Sequence, residues 1–382
     1  MSDVSQGCAF WHAREFRTGA GAKRHSPRLL LRPLAAPVLA TLEPDLASLM
    51  RSVRRLAPAA LGFTLLLAAC QPSNQAGASS PQQVADAFVS EVVLPNYQQL
   101  VEESRRLSAA LDALATAPGT EQLEAARKAW QQVRKTWETG ESWAFGPAES
   151  GGFDGNLDDW PVNEKDLRSS LASGALTPEL FVKLTTTAKG FHGIEAVLYG
   201  TQGTRPEASQ LSAAQLTYLR QAGADLATNA KGLAAAWDGP KGFGAAFKAK
   251  PEEAVAEILQ GMVGTLEEVA AEKLGAPLDS RKKSDLESFY SDNTRADIVA
   301  NLAGVSEALQ RSGLIQLLQN RDAQLASSLQ KALDEAQAGA RSLPAQLNTA
   351  ITDSAGRQQI EAVMADTDRT ATLLKQAAEK LS

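Results

Sequence analysis

Apolar residues in this chain recur three and four positions apart, stretch after stretch, and almost never alternate. Val84, Phe88, Val92, Leu100, Leu107, Leu111 and Leu114 mark one such stripe. A spacing near 3.6 places them on one side of a helix, whereas a strand would need a period of two. The pattern predicts a helix over 82–114, bent at Pro95, and a second over 121–143. Further helices are expected near 164–172, 190–200, 212–237, 251–273, 296–311, 322–340 and 354–380. Nothing reads as a sheet, so the expected fold is all-α, built as two stacked helical bundles. Asp238-Gly239-Pro240-Lys241-Gly242 is the clearest break, giving bundles over 82–238 and 239–382.

The N-terminal region follows a different logic. Residues 50–69 carry a basic start (Arg51, Arg54, Arg55), then an apolar run ending Leu67-Ala68-Ala69, directly before Cys70. This is the layout of a secretory signal, too short for a permanent membrane span. A Cys after Leu-Ala-Ala resembles the bacterial lipoprotein box, so Cys70 is the expected lipidation site and membrane anchor. Residues 1–49 then read as an upstream over-extension, with Met50 as the initiator. Residues 70–81, rich in Ser, Gln, Gly and Pro, form an expected flexible tether. The expected location is the envelope of a Gram-negative bacterium, with the protein lipid-anchored at the outer membrane and facing the periplasm. The whole chain has a net charge of −6, and its first 69 residues hold nine Lys/Arg against four Asp/Glu. The remainder is therefore at −11, with no basic stripe, which argues against a nucleic-acid partner. With Cys70 its only cysteine, that remainder can form no internal disulfide.

Three segments concentrate chemistry. The first is Gly190-Phe191-His192-Gly193-Ile194-Glu195, continuing to Tyr199-Gly200. On a helix, His192 and Glu195 share a face, with Tyr199 a turn further on. Such a pair can hold one metal ion or form a hydrogen bond, and the adjacent glycines let another backbone or a ligand come close. His192 is the only histidine after residue 25. The second is the stripe Trp130, Arg134, Trp137, Glu141. Either the tryptophans pack while Arg134 pairs with Glu138, or Arg134 and Glu141 sit at a buried polar site between helices. The third is 286–301, where Glu287, Tyr290 and Ser291 precede a helix carrying Asp297, with Asp292-Asn293-Thr294 as its expected cap. Residues 144–161 are the longest stretch without periodicity, and Asp154, Asp158 and Asp159 within it read as solvated carboxylates.

Gly190-x-His192-x-x-Glu195 resembles the G-x-H-x-x-E signature of the imelysin-like proteins. The resemblance extends to Trp130-x-x-x-Arg134-x-x-Trp137, to Phe145-Gly146-Pro147 with Trp160-Pro161, and to Glu287 through Thr294 with Asp297 and Asn301. It implies two helical bundles with a site near their interface, in exported proteins described first as peptidases and often linked to iron uptake.

A zinc peptidase of the H-E-x-x-H type needs two histidines one turn apart, which this chain lacks after residue 25. One imidazole among several carboxylates suits a hard cation such as iron. The expected ligands are His192 and Glu195, completed by Glu141 and Asp297 or Glu287, with Arg134, Tyr199, Tyr290 and Ser291 in support. The alternatives are a metal-dependent peptidase, with Glu195 as base on a metal-held water, and a structural lipoprotein in which His192 and Glu195 only pair.

Overall fold

A computed structural model describes residues 80–172, 176–201 and 204–382. The expectations for the signal segment, Cys70 and nearly all of the tether lie outside these residues. The protein is all-α, with no strand among the described residues.

The chain enters α1 (Pro81–Ala87) through a capping box between Ser80 and Gln83, which satisfies amides that the first turn leaves without partners. A π-helical turn, Phe88–Val93, leads without a break into α2 (Leu94–Thr116). The irregularity expected at Pro95 thus takes the form of a widened turn just before it. All seven residues of the predicted stripe are buried. Burying each such leucine or valine contributes about 1.5–3 kcal/mol, so this stripe alone commits the segment to a core. Next come α3 (Thr120–Gly140) and a tight turn, Glu141–Trp143. The stretch expected to lack structure contains two short helices, Pro147–Ser150 and α4 (Phe153–Asp158), which are too brief to show a period in sequence. After α5 (Glu164–Ala172), α6 (Gly190–Tyr199) carries the His192 motif, and α7 (Ala213–Trp237) begins at a second capping box formed by Ser212 and Gln215. Helix α2 packs against both α3 and α7, and α6 lies against α3 and α7.

The second group starts with α8 (Pro251–Glu268), which passes through a π turn, Val269–Gly275, into Ala276–Ser280. Then follow α9 (Thr294–Arg311), α10 (Ala323–Ser342) and α11 (Ser354–Leu381). Helix α11 packs on α8 and α10, while α9 packs on α10 and reaches across to α3. Helix α1 also crosses to α8, and the described residues make one compact unit. The α3–α9 contact is the seam in which the charged residues collect. It is close because Gly304 faces the carbonyl of Thr139, where a Cβ would come within 2.0 Å of the oxygen.

Candidate metal centre

Helix α6 is buried along its whole length, so its two polar side chains, His192 and Glu195, must find partners inside the protein. It begins at Gly190 with φ +57°, and a Cβ there would lie 2.3 Å from the carbonyl oxygen of Leu157. Only glycine permits this approach, and the approach delivers the next residue, Asp158, to the imidazole. His192 Nε2 lies 3.0 Å from Asp158 Oδ1 and 3.9 Å from Glu287 Oε1. On the opposite side of the ring, Nδ1 lies 3.4 Å from Glu195 Oε2. The other oxygen of Glu195 accepts from the backbone amide of Ser291 at 2.8 Å and from its hydroxyl at 2.6 Å.

Helix α3 supplies the centre of the cluster. Arg134 is fully buried and pairs with Glu138, Asp158 and Glu287, the last at 2.9 Å, with Asp297 at 3.7 Å. Trp137 Nε1 donates to Asp158 Oδ2 at 2.5 Å, and Trp130 Nε1 donates to the carbonyl of Phe191 at 2.9 Å. Both readings of this stripe therefore hold, because the Arg134–Glu138 pair is itself part of a buried polar site. Lys273, from the π turn, places Nζ 2.8 Å from Glu138, 3.0 Å from Glu287 and 3.1 Å from Glu141. Asn301 of α9 donates to Glu138 at 2.8 Å and to Glu141 at 3.2 Å.

The electrostatics follow from this crowding. Burial and Arg134 push the His192 pKa down, but Asp158 and Glu195 outweigh them and lift it to about 9. Burial alone would raise Asp158; Arg134 and His192 overcome that and hold it well below the usual carboxylate range. Glu287 is lowered against burial by Lys273 and Arg134. Asp297 goes the other way: burial raises it to about 8, with Glu138 and Glu287 adding to the effect and Arg134 opposing it. Glu141 is raised well above its ordinary value by burial and by Glu268. Six largely buried carboxylates, those of Glu138, Glu141, Asp158, Glu195, Glu287 and Asp297, thus face three cationic side chains, Arg134, Lys273 and His192. Anionic charge is in excess, and protons or a further cation must balance it.

Two subsets have donor atoms close enough to share an ion. Asp158, His192 and Glu287 offer one set, and Glu138, Glu141, Asp158 and Glu287 the other, with atoms within 4.8 Å of one another in each. Of the residues expected as ligands, His192, Glu287 and Glu141 fall in these sets. Glu195 does not; its oxygens meet His192 Nδ1 and Ser291 instead. Asp297 faces Arg134 and accepts from Asn293 Nδ2 at 2.7 Å. Asn293 sits at the N-cap position of α9, but its side chain makes no cap hydrogen bond there. Among the supporting residues, Arg134 and Ser291 lie in the network. Tyr290 donates to Glu164 at 2.6 Å, and Tyr199 packs edge-on against Trp130, with its hydroxyl 3.4 Å from the Arg127 carbonyl. Neither hydroxyl bonds to a carboxylate of the cluster.

Asp158 corrects the expectation of solvated acids in 144–161: its side chain is 5% exposed, since α4 turns it inward. Asp159 accepts from Thr186. In the sequence Glu138 reads only as the partner of Arg134, and Lys273 stands in no motif. Lys273 nonetheless continues the buried stripe Met262, Leu266, Val269 at a helical step, and a charge on an apolar face is a readable signal.

An all-α protein with a buried, carboxylate-rich seam holding one histidine is thus the class that fold and site define. The imelysin family model matches residues 93–374, and the chain belongs to that family. It is 32% identical over 316 residues to iron-regulated protein A of Synechococcus elongatus, covering 78% of this chain and 84% of that protein. Its fold is similar to the crystal structure of a putative iron-regulated protein A precursor from Parabacteroides distasonis, with TM-score 0.73, 20% identity, and 80% and 97% of the two chains covered. An imelysin-like protein from Psychrobacter arcticum matches with TM-score 0.66, 22% identity, and 78% and 94% coverage.

Proposed function

We propose that this protein is an iron-linked binding protein of the cell envelope, whose buried seam takes up a hard cation at His192 Nε2, Asp158 and Glu287. The observation that carries this reading is the state of the imidazole. His192 is 1% exposed, and its Nε2 faces two carboxylates, ion-paired with Asp158 at 3.0 Å without an aligned hydrogen bond, while Glu195 steadies Nδ1 from behind. A carboxylate on the far nitrogen is how metal-binding histidines are oriented and made more basic. The donor set, one nitrogen with carboxylate oxygens, suits iron or manganese better than a soft-ligand metal, and the surplus of negative charge favours cation uptake. A bound ion would supply neutralising charge at the seam. His192 would give up its proton on Nε2, and Arg134 would retain Glu138 as a partner while yielding part of its hold on Asp158 and Glu287. The iron-regulated relative supports iron as the physiological ion. Lipidation at Cys70 would hold this binding function at the outer membrane.

A peptidase reading has less support. Glu195, the expected base, spends one oxygen on Ser291 and turns the other to the ring, so both oxygens already serve to position His192. A structural reading draws on one observation, that Arg134 and Lys273 already neutralise part of the cluster.

The test is calorimetric titration of Fe2+ under anaerobic conditions, and of Mn2+, into wild type and His192→Ala. One tight equivalent in wild type that is lost in the variant is expected. Silence in both, with a lower melting temperature for His192→Ala, would replace the binding reading with the structural one.

A further inference from the structure

The ammonium of Lys273 stands where an ion would. It is 3% exposed and lies within 3.1 Å of oxygens from Glu138, Glu141 and Glu287, with Glu268 at 3.8 Å. These acids come from α3 and the turn after it, from α8, and from the loop before α9, so the cage is assembled by tertiary structure. Glu138, Glu141 and Glu287, together with Asp158, are the second set whose oxygens lie close enough to bind one ion. Two further observations point to a ligand. Asn301 is fully buried, and its amide nitrogen already touches Glu138 and Glu141, yet its Oδ1 has no partner. Glu287 Oε2, also buried, receives no hydrogen bond apart from its ion pair with Lys273. Carboxylate oxygens are hard donors, suited to a divalent cation of the manganese or iron(II) kind.

We propose that Glu138, Glu141, Asp158 and Glu287 form a second cation subsite beside the one at His192, and that Lys273 is its built-in occupant, displaced when a divalent cation enters. The inference rests on the His192 reading only in that Asp158 and Glu287 would be shared by both subsites. Lys273 lies in the π turn Val269–Gly275, a widened turn of a kind often found at functional positions. A lysine carries a single charge on a flexible stem, so it can leave the cage without the backbone rearrangement that a fixed ligand would require. Its charge sets the threshold for the second ion: a cation must outcompete an ammonium already tethered in place.

The test counts Mn2+ bound to the purified full chain by equilibrium dialysis with paramagnetic detection of free ion, for wild type, Lys273→Met and Lys273→Met/Glu141→Gln. The expected result is one additional tight equivalent in Lys273→Met, with affinity for that ion raised at least roughly tenfold over wild type, and its loss in the double variant. Should Lys273→Met fold only when Mn2+ is present, that dependence supports the proposal; failure to fold even in millimolar Mn2+ counts against it. The proposal is overturned if Lys273→Met takes up no more Mn2+ than wild type, or if the extra equivalent survives Glu141→Gln. A wild type that binds one ion lost in His192→Ala, beside a Lys273→Met that gains none, rejects this subsite alone. An ion bound by Lys273→Met and none by wild type rejects the His192 reading alone.

Discussion

His192 and Glu195 stand one helical turn apart with Nδ1 and Oε2 at 3.4 Å, so the glutamate lies behind the ring rather than beside it at a shared ion. Nε2, the opposite nitrogen, is left for Asp158 at 3.0 Å. If the seam binds a cation as proposed, the two motif residues would have different tasks, one as ligand and one as orienting group, and substitution should separate them.

Glu195→Gln keeps the size of the side chain but weakens its hold on Nδ1. Loss of such an orienting partner costs roughly 10- to 100-fold in metal affinity while leaving the stoichiometry intact. His192→Ala should lose the ion altogether. Calorimetry with Mn2+ distinguishes the two, and equal affinities for Glu195→Gln and wild type would return Glu195 to a packing role.

Arg134 has no access to water and pairs with Glu138, Asp158 and Glu287. Arg134→Met removes the charge and leaves those carboxylates buried without it. Breaking one partner out of a buried ion-pair network costs about 3–5 kcal/mol, far more than an exposed pair is worth. Urea denaturation at neutral pH should report a loss of that size. If a divalent cation binds at the seam, adding Mn2+ should restore part of it, because the ion supplies the missing positive charge.

The helical framework was legible because it rests on local rules. Stripes such as Leu100, Leu107 and Leu111, and the Ser212–Gln215 cap, encode their elements within a few residues. The motif His192/Glu195 and the stripe Trp130–Glu141 were legible for the same reason: helical spacing tells which side chains share a face. Asp158 was not, since α4 is a single turn and a half whose inward face is decided by Gly190, more than thirty residues later. The role of Glu195 was not legible either. Spacing shows that it neighbours His192, but which ring nitrogen it meets depends on Ser291, brought in from the other side of the seam. Lys273 could have been found by asking why a lysine continues an apolar stripe.

Gly190→Ala tests how the centre is assembled. The new methyl group would lie 2.3 Å from the Leu157 carbonyl, at a φ of +57° that alanine adopts at a cost of about 1–3 kcal/mol. Relief requires α4 to retreat, taking Asp158 from His192. The expected outcome is a lower melting temperature together with weakened Mn2+ binding, and Gly155→Ala, where a Cβ meets nothing within 4 Å, serves as the control in α4, the helix that would have to move.

Away from the seam, Glu257 on α8 is half-buried, and burial together with Glu149 and Glu253 raises its pKa above the ordinary glutamate value. A carboxyl whose folded-state pKa is raised holds its proton more tightly in the folded chain than in the unfolded one. Stability therefore falls as pH rises from the ordinary glutamate range through the raised value, and the full penalty is present above that value. Glu257→Gln removes the titration. It should raise the melting temperature at pH 7 by on the order of a degree or two, in keeping with a partly solvated site in a chain of this size. Near pH 3.5, where the carboxyl is protonated in both states, the gain should vanish. Melting curves of the two proteins across that range measure the difference directly, and a gain that is the same at both ends would mean that the glutamine acts through packing rather than charge.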